Sequence, residues 1–186
     1  MRKYCHLRLG KQAVYAAECF AGSYIGASLG LGMDLSDELP EAWQAFNKKF
    51  IPVWLEDKPG KSRVAAGLDC GMLHTICKGL LEGDRVLCPD GQGTYWVGEI
   101  TGPYTYHPDT NLPHRRTVQW FNETIRREDM SHTLRKATDY PLTITDISKH
   151  TDEIEALLGG NALPSLHSAD PDVEDAAEFA LEENLQ

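Results

Sequence analysis

The sequence predicts an α+β domain: a curved, mixed, mostly antiparallel sheet, partly open as a barrel, flanked by short helices. Three observations predict it. A paired-strand signal with turn chemistry occupies residues 83–106. Two stretches of helical spacing, one carrying Trp43, Phe46 and Phe50 and one over residues 62–81, precede it. A short alternating segment at residues 2–9 opens the chain. Strands and helices interleaved in short pieces suit a layered domain rather than a bundle or a sandwich.

Residues 2–9 read as a strand because Tyr4, His6 and Arg8 alternate with Cys5, Leu7 and Leu9, and Gly10 ends it. Residues 12–20 read as a short helix with Val14, Ala17 and Cys19 inward, and residues 23–27 as a second strand. Gly30 to Asp34 is a loop with two glycines. Asp37, Glu38 and Pro40 then start a helix whose inward stripe is Trp43, Phe46 and Phe50. Pro52, Asp57, Pro59 and Gly60 predict a loop over residues 52–61. Ser62 is the expected N-cap of the next helix, which carries Val64, Leu68, Met72, Leu73, Ile76 and Leu80. Strands follow at 83–89 and 94–101, joined by Asp90-Gly91-Gln92-Gly93. Gly102-Pro103 breaks the second, and Tyr104 to Tyr106 resumes it. A polar loop, a strand at 116–125, a helical turn at 131–136, a strand at 141–147 and a helix at 152–158 complete the domain.

Gly159-Gly160 marks the expected edge, giving a domain over residues 1–158 and an acidic linker over 159–186. The net charge of −10 divides along that line. From Ser148 onward ten carboxylates face Lys149 alone, which leaves 17 bases and 18 acids in residues 1–147. The acidity sits in the tail, and a local basic surface on the body is compatible with the total. The start Met1-Arg2-Lys3 has no apolar run behind it, and no segment has the length of a membrane span, so a cytoplasmic protein is expected. Five scattered cysteines read as reduced thiols. Cys70, His74 and Cys77 share a helix face, but the spacing of structural zinc ligands is absent. No P-loop, nucleophile elbow or dinucleotide fingerprint occurs. Neither a catalytic residue, a metal nor a cofactor is expected.

The run Gly83-Asp84-Arg85-Val86, then Pro89-Asp90-Gly91, then Tyr95-Trp96-Val97-Gly98-Glu99-Ile100-Thr101-Gly102 and Tyr104-Thr105-Tyr106 resembles the N-terminal domain of Mrr-type restriction endonucleases. Pro113-His114-Arg115-Arg116-Thr117-Val118-Gln119-Trp120 and Arg127-Glu128-Asp129-Met130-Ser131 continue the likeness, which covers roughly residues 2–147. That domain belongs with the EVE, YTH and PUA-like readers. The resemblance implies a DNA-binding module that recognises a methylated or hydroxymethylated base by flipping it out. The ending Glu178 to Leu185 is similar to the entry of an Mrr-type nuclease domain, so the parent is expected to be a modification-dependent restriction endonuclease, with a homodimer through the parent as one option. The fragment itself lacks the Asp…Glu-x-Lys pattern of such a nuclease. A PUA-like module for modified RNA is the alternative; a small enzyme using His114 or His74 and a protein-interaction domain are the others.

A reader that everts a base stacks it on aromatic faces. The expected pocket set is Tyr24, Ser28, Trp54, Tyr95 and Tyr104. Ser28 stands where the family often has a tryptophan. Guanidinium and ammonium groups suit phosphate docking, and the expected backbone set is Lys61, Arg63, His114, Arg115, Arg116 and Arg127. Trp43 and Trp120 are expected in the core.

Overall fold

In a computed structural model, residues 1–159 are described. The acidic linker and nuclease-entry reading of residues 160–186 lies outside them. Six strands form one mixed sheet: β1 (Tyr4–Leu7), β2 (Tyr24–Ala27), β3 (Arg85–Pro89), β4 (Thr94–Tyr106), β5 (His114–Arg126) and β6 (Ile144–Asp146). Their order is β2-β5-β4-β3-β1-β6. Every neighbouring pair is antiparallel except β1–β3, where Cys5 stands opposite Val86. The sheet is not closed into a barrel. The edge strands β2 and β6 have four and three residues and lie at opposite ends of the order, so they do not pair with each other.

Five α-helices flank the sheet: α1 (Ala16–Gly22), α2 (Trp43–Glu56), α3 (Arg63–His74), α4 (His132–Asp139) and α5 (Thr151–Leu158). Side chains alternate across each strand and so define two faces. On one face Cys5, Leu7, Val86, Ile100 and Val118 pack with Cys19 of α1 and with Met72 and Ile76. On the other, Tyr4, Leu87, Tyr95 and Val97 pack with Leu134 of α4 and Ile154 of α5. Each such Leu or Ile contributes about 1.5–3 kcal/mol by leaving water. A third cluster joins α2 to α3 through Phe46, Phe50, Trp54, Cys70 and Leu73. Ser62 caps α3 as expected, its hydroxyl accepting from the Ala65 N–H at 3.1 Å.

Three local expectations fail for nonlocal reasons. Pro52 lies inside α2 rather than opening a loop. Phe50, Ile51 and Trp54 continue the buried stripe past it, and that burial offsets the hydrogen bond a proline cannot make. Trp43, at the first turn of α2, is only half-buried and joins no core cluster. Gly102-Pro103 does not end β4: the register against β5 shifts between Ile100 and Tyr104, so the extra residues are absorbed as a bulge. The α3 helix passes into a π-helical turn, Thr75–Gly79, before β3. No helix among the described residues is long and apolar enough to cross a membrane.

Candidate nucleic-acid interface

The expected pocket residues do not converge. Trp54 is 4% exposed, with its indole N–H donating to Leu29 O at 3.1 Å and to Asp69 Oδ2 at 3.2 Å. Lys58 Nζ stands 4.6 Å from its ring centroid. Because α2 continues through Pro52, Trp54 falls on the core stripe and offers no stacking face. Tyr95 is buried on the other side of the sheet, between Thr138 Oγ1 and the Arg127 guanidinium. Ser28 is exposed just after β2.

Tyr104 is half-buried and belongs to a relay that pins the loop after β2. His114 Nε2 bonds Leu31 O, so that nitrogen carries the proton. His114 Nδ1 then accepts from the Tyr104 hydroxyl at 2.7 Å, and that hydroxyl accepts the Leu35 N–H at 3.2 Å. Burial lowers the His114 pKa, which keeps the ring neutral, as the relay requires. Tyr106 adds a bond to Gly32 O at 2.8 Å.

The basic group divides by strand parity. His114 and Arg116 point inward and are 0% and 4% exposed. Both are engaged with protein groups there rather than presented on the outer surface. Arg116 Nε donates to Gly102 O at 2.8 Å, and Nη1 donates to Ile76 O at 3.1 Å and Leu80 O at 2.6 Å. The guanidinium thus closes the carbonyl end of the π-helical turn, where a cation is electrostatically favoured.

Arg115 points the other way. Its Nε donates to Leu112 O at 2.7 Å, and its guanidinium carbon lies 4.1 Å from the centroid of the Tyr24 ring. Among the described residues no carboxylate pairs with it, and its terminal nitrogens make no hydrogen bond. Two glycines permit this packing. A Cβ on Gly22 would stand 2.4 Å from Tyr24 Cε1, and one on Gly26 would stand 3.0 Å from Leu112 Cβ. The Tyr24 hydroxyl donates to Glu18 Oε2 at 2.5 Å. Burial, then that carboxylate, pushes its pKa up to about 12.

A neighbouring aromatic group went unrecognised as a site. Phe20 of α1 stacks on Trp96 at 4.1 Å between centroids with 3° between planes. Trp120 meets Phe20 edge-on at 5.0 Å, and its N–H donates to Cys19 O at 3.0 Å. All three rings are half-buried, so Trp120 is not the core residue expected. Phe20, Trp120 and Tyr24 pack against the same core cluster, with Trp120 on the Val118 face of β5 and Arg115 on the opposite one. Gly98 makes room, since a Cβ there would stand 2.8 Å from Trp120 Cε3. The signal was the shared parity of Trp96 and Gly98 on β4 with Trp120 on β5.

The remaining expected cations are scattered. Lys61 and Arg63 are exposed at the start of α3. Arg127 bonds Asp139 at 2.7 Å beside a recess of about 590 Å³ between the β3–β4 turn and the end of β5, where Arg126 and Arg135 also lie. Arg126 is paired with Glu128 and Asp129. Among the described residues no cluster of three or more His, Cys, Asp or Glu side chains could hold a metal ion.

A family model matches residues 7–144, about three quarters of the chain. The chain belongs to DUF8426. The DUF8426 family is described as a domain of unknown function, and its matched span runs from the end of β1 to the start of β6. Tyr24, Arg115 and the Phe20–Trp96–Trp120 group all lie inside the DUF8426 span. No curated protein and no solved structure matches the chain.

Proposed function

We propose that this chain is an EVE/PUA-like reader of modified bases in double-stranded DNA, acting without catalysis as the recognition module of a modification-dependent restriction endonuclease. One observation carries the reading: Arg115, anchored on Leu112 O and held over the Tyr24 ring, keeps its terminal donors without a partner among the described residues. A pre-oriented guanidinium suits one phosphate, and half-buried ring faces such as those of Tyr24, Trp96 and Trp120 suit one base that has left the stack. Stacking of that kind is worth about 1–3 kcal/mol per base. The mixed sheet with its parallel β1–β3 pair and the motif likeness across residues 83–131 support the EVE/PUA-like assignment. In this reading Tyr24 and Arg115 carry recognition, Lys61 and Arg63 add long-range attraction, and a nuclease domain in a cytoplasmic parent does the cutting.

The test is fluorescence polarisation with matched duplexes carrying N6-methyladenine, 5-methylcytosine, 5-hydroxymethylcytosine or no modification, and with RNA strands of the same sequence. One modified duplex is expected to bind at least about tenfold tighter than the plain one, a difference of about 1.4 kcal/mol. Equal binding across the duplexes defeats the proposal. Tighter binding of modified RNA replaces it with the RNA-reader alternative.

A further inference from the structure

The inward face of β5 carries a second feature that base reading leaves unused. Arg116 engages carbonyls through Nε and Nη1, while Nη2 has no protein partner among the described residues. That nitrogen is not sealed away, and Arg116 lines a recess of about 390 Å³ between the π-helical turn, the β4 bulge and the segment around Ser36. A side chain 4% exposed, fixed by four carbonyl contacts, with one nitrogen unpartnered among the described residues and lining a recess, has the make-up of an anion anchor. No carboxylate forms an ion pair with Arg116 among the described residues.

The rest of the recess defines its ligand. Leu39, Leu81, Pro103 and the Tyr104 ring supply apolar walls, with Leu81 63% exposed at the lip. Lys78 adds a cation, shared with Glu41 at 3.1 Å. Glu82 also lines the recess, and both it and Asp84 act electrostatically on Arg116. A nearby carboxylate and a single free guanidinium nitrogen weigh against a dianion such as phosphate, which is best held by several donors. They leave room for a monoanion with an apolar body.

The geometry points to a binding site for a small aromatic carboxylate, its head on Arg116 Nη2 and its ring against Tyr104, Leu81 and Pro103. The volume suits a small organic ligand. Arg115 and Arg116 face opposite sides of the sheet, and neither Arg115 nor Tyr24 lines the recess.

The test is an NMR titration of the full chain with phenylacetate, its neutral analogue phenylacetamide, and inorganic phosphate. Phenylacetate is expected to give saturable shifts at Cys77, Leu81 and Tyr104, and to bind at least about tenfold tighter than phenylacetamide. Leu81→Glu and Lys78→Ala change solvent-facing positions without touching the Arg116 contacts. Leu81→Glu is expected to abolish the shifts, and Lys78→Ala to weaken binding severalfold. The inference is overturned if acid and amide bind alike, if phosphate binds tighter than phenylacetate, if no saturable shift reaches the recess, or if Leu81→Glu leaves the titration unchanged.

Discussion

Arg115 and Arg116 are adjacent in β5, yet the two faces of that strand put them to opposite use. Inward, Arg116 is encased by carbonyls of Gly102, Ile76, Cys77 and Leu80, and His114 on the same face pins the loop at Leu31. Outward, Arg115 sits over the Tyr24 ring with one backbone bond and terminal donors that have no partner among the described residues. The same side chain is thus a structural strut on one face and an available contact on the other. Residue type alone does not separate the roles. The polar groups that the backbone must satisfy on each side do.

The sharpest way to break this comparison is to remove the strut. Arg116→Met leaves several buried carbonyls without a donor and is expected to cost about 3 kcal/mol or more. Urea denaturation reads the loss, and a shift below about 1 kcal/mol would mean that the inward role is misassigned. Acid probes the buried polar groups as a class. Neither ring nitrogen of His6 has a partner among the described residues, and burial lowers its pKa from 6.5 to about 3. The unfolded chain therefore takes up a proton near pH 6.5 that the folded chain refuses until near pH 3. Stability is full above that window and falls with pH inside it, by about 1.4 kcal/mol per unit from His6 alone. His74, His114 and His150, also lowered by burial, act in the same direction. Melting temperatures that stay flat between pH 6.5 and 4.5 would contradict this.

Tyr104→Phe sharpens the inward account at one bond. It strands the Leu35 N–H and His114 Nδ1 at a cost of about 2 kcal/mol, with faster hydrogen exchange concentrated in residues 28–36. The smallest stability effect belongs to the outward face. Arg115→Ala is expected to shift unfolding by no more than about 0.5 kcal/mol while weakening the preferred oligonucleotide about tenfold and flattening its salt dependence by about one unit of log–log slope. A large loss of stability with unchanged binding would reverse the assignment of the two faces.

Much of the fold was legible. Turn chemistry at Asp90 to Gly93, the Ser62 cap and the alternation in residues 2–9 all correspond to observed features. How far the sheet curls was not legible, because it depends on where the two short edge strands β2 and β6 end up. The site was harder to read than the fold. Trp54 looked like a loop aromatic because Pro52 looked like a stop, and only α3 packing on α2 keeps the helix going. Arg116 looked like surface because its partners are about forty residues away in sequence, beyond any local pattern. One clue was available. Trp120 is expected in the core, and strand parity carries Arg116 with it and sends Arg115 out. The motif glycines Gly98 and Gly102 serve packing first: a Cβ on Gly98 would strike the Trp120 ring, and one on Gly102 would lie 2.3 Å from Thr117 Oγ1.

The strand that begins the fold is not at its margin. β1 is hydrogen-bonded on one side to β3 and on the other to β6, so its neighbours leave the ribosome some eighty and some hundred and forty residues later. During synthesis the α2–α3 hairpin can condense early on its own contacts, whereas β1 must wait with both edges bare. Closing such distant pairs makes the sheet the slow step of folding. Until residue 146 has emerged, β1 keeps at least one bare edge on which a neighbouring polypeptide can pair.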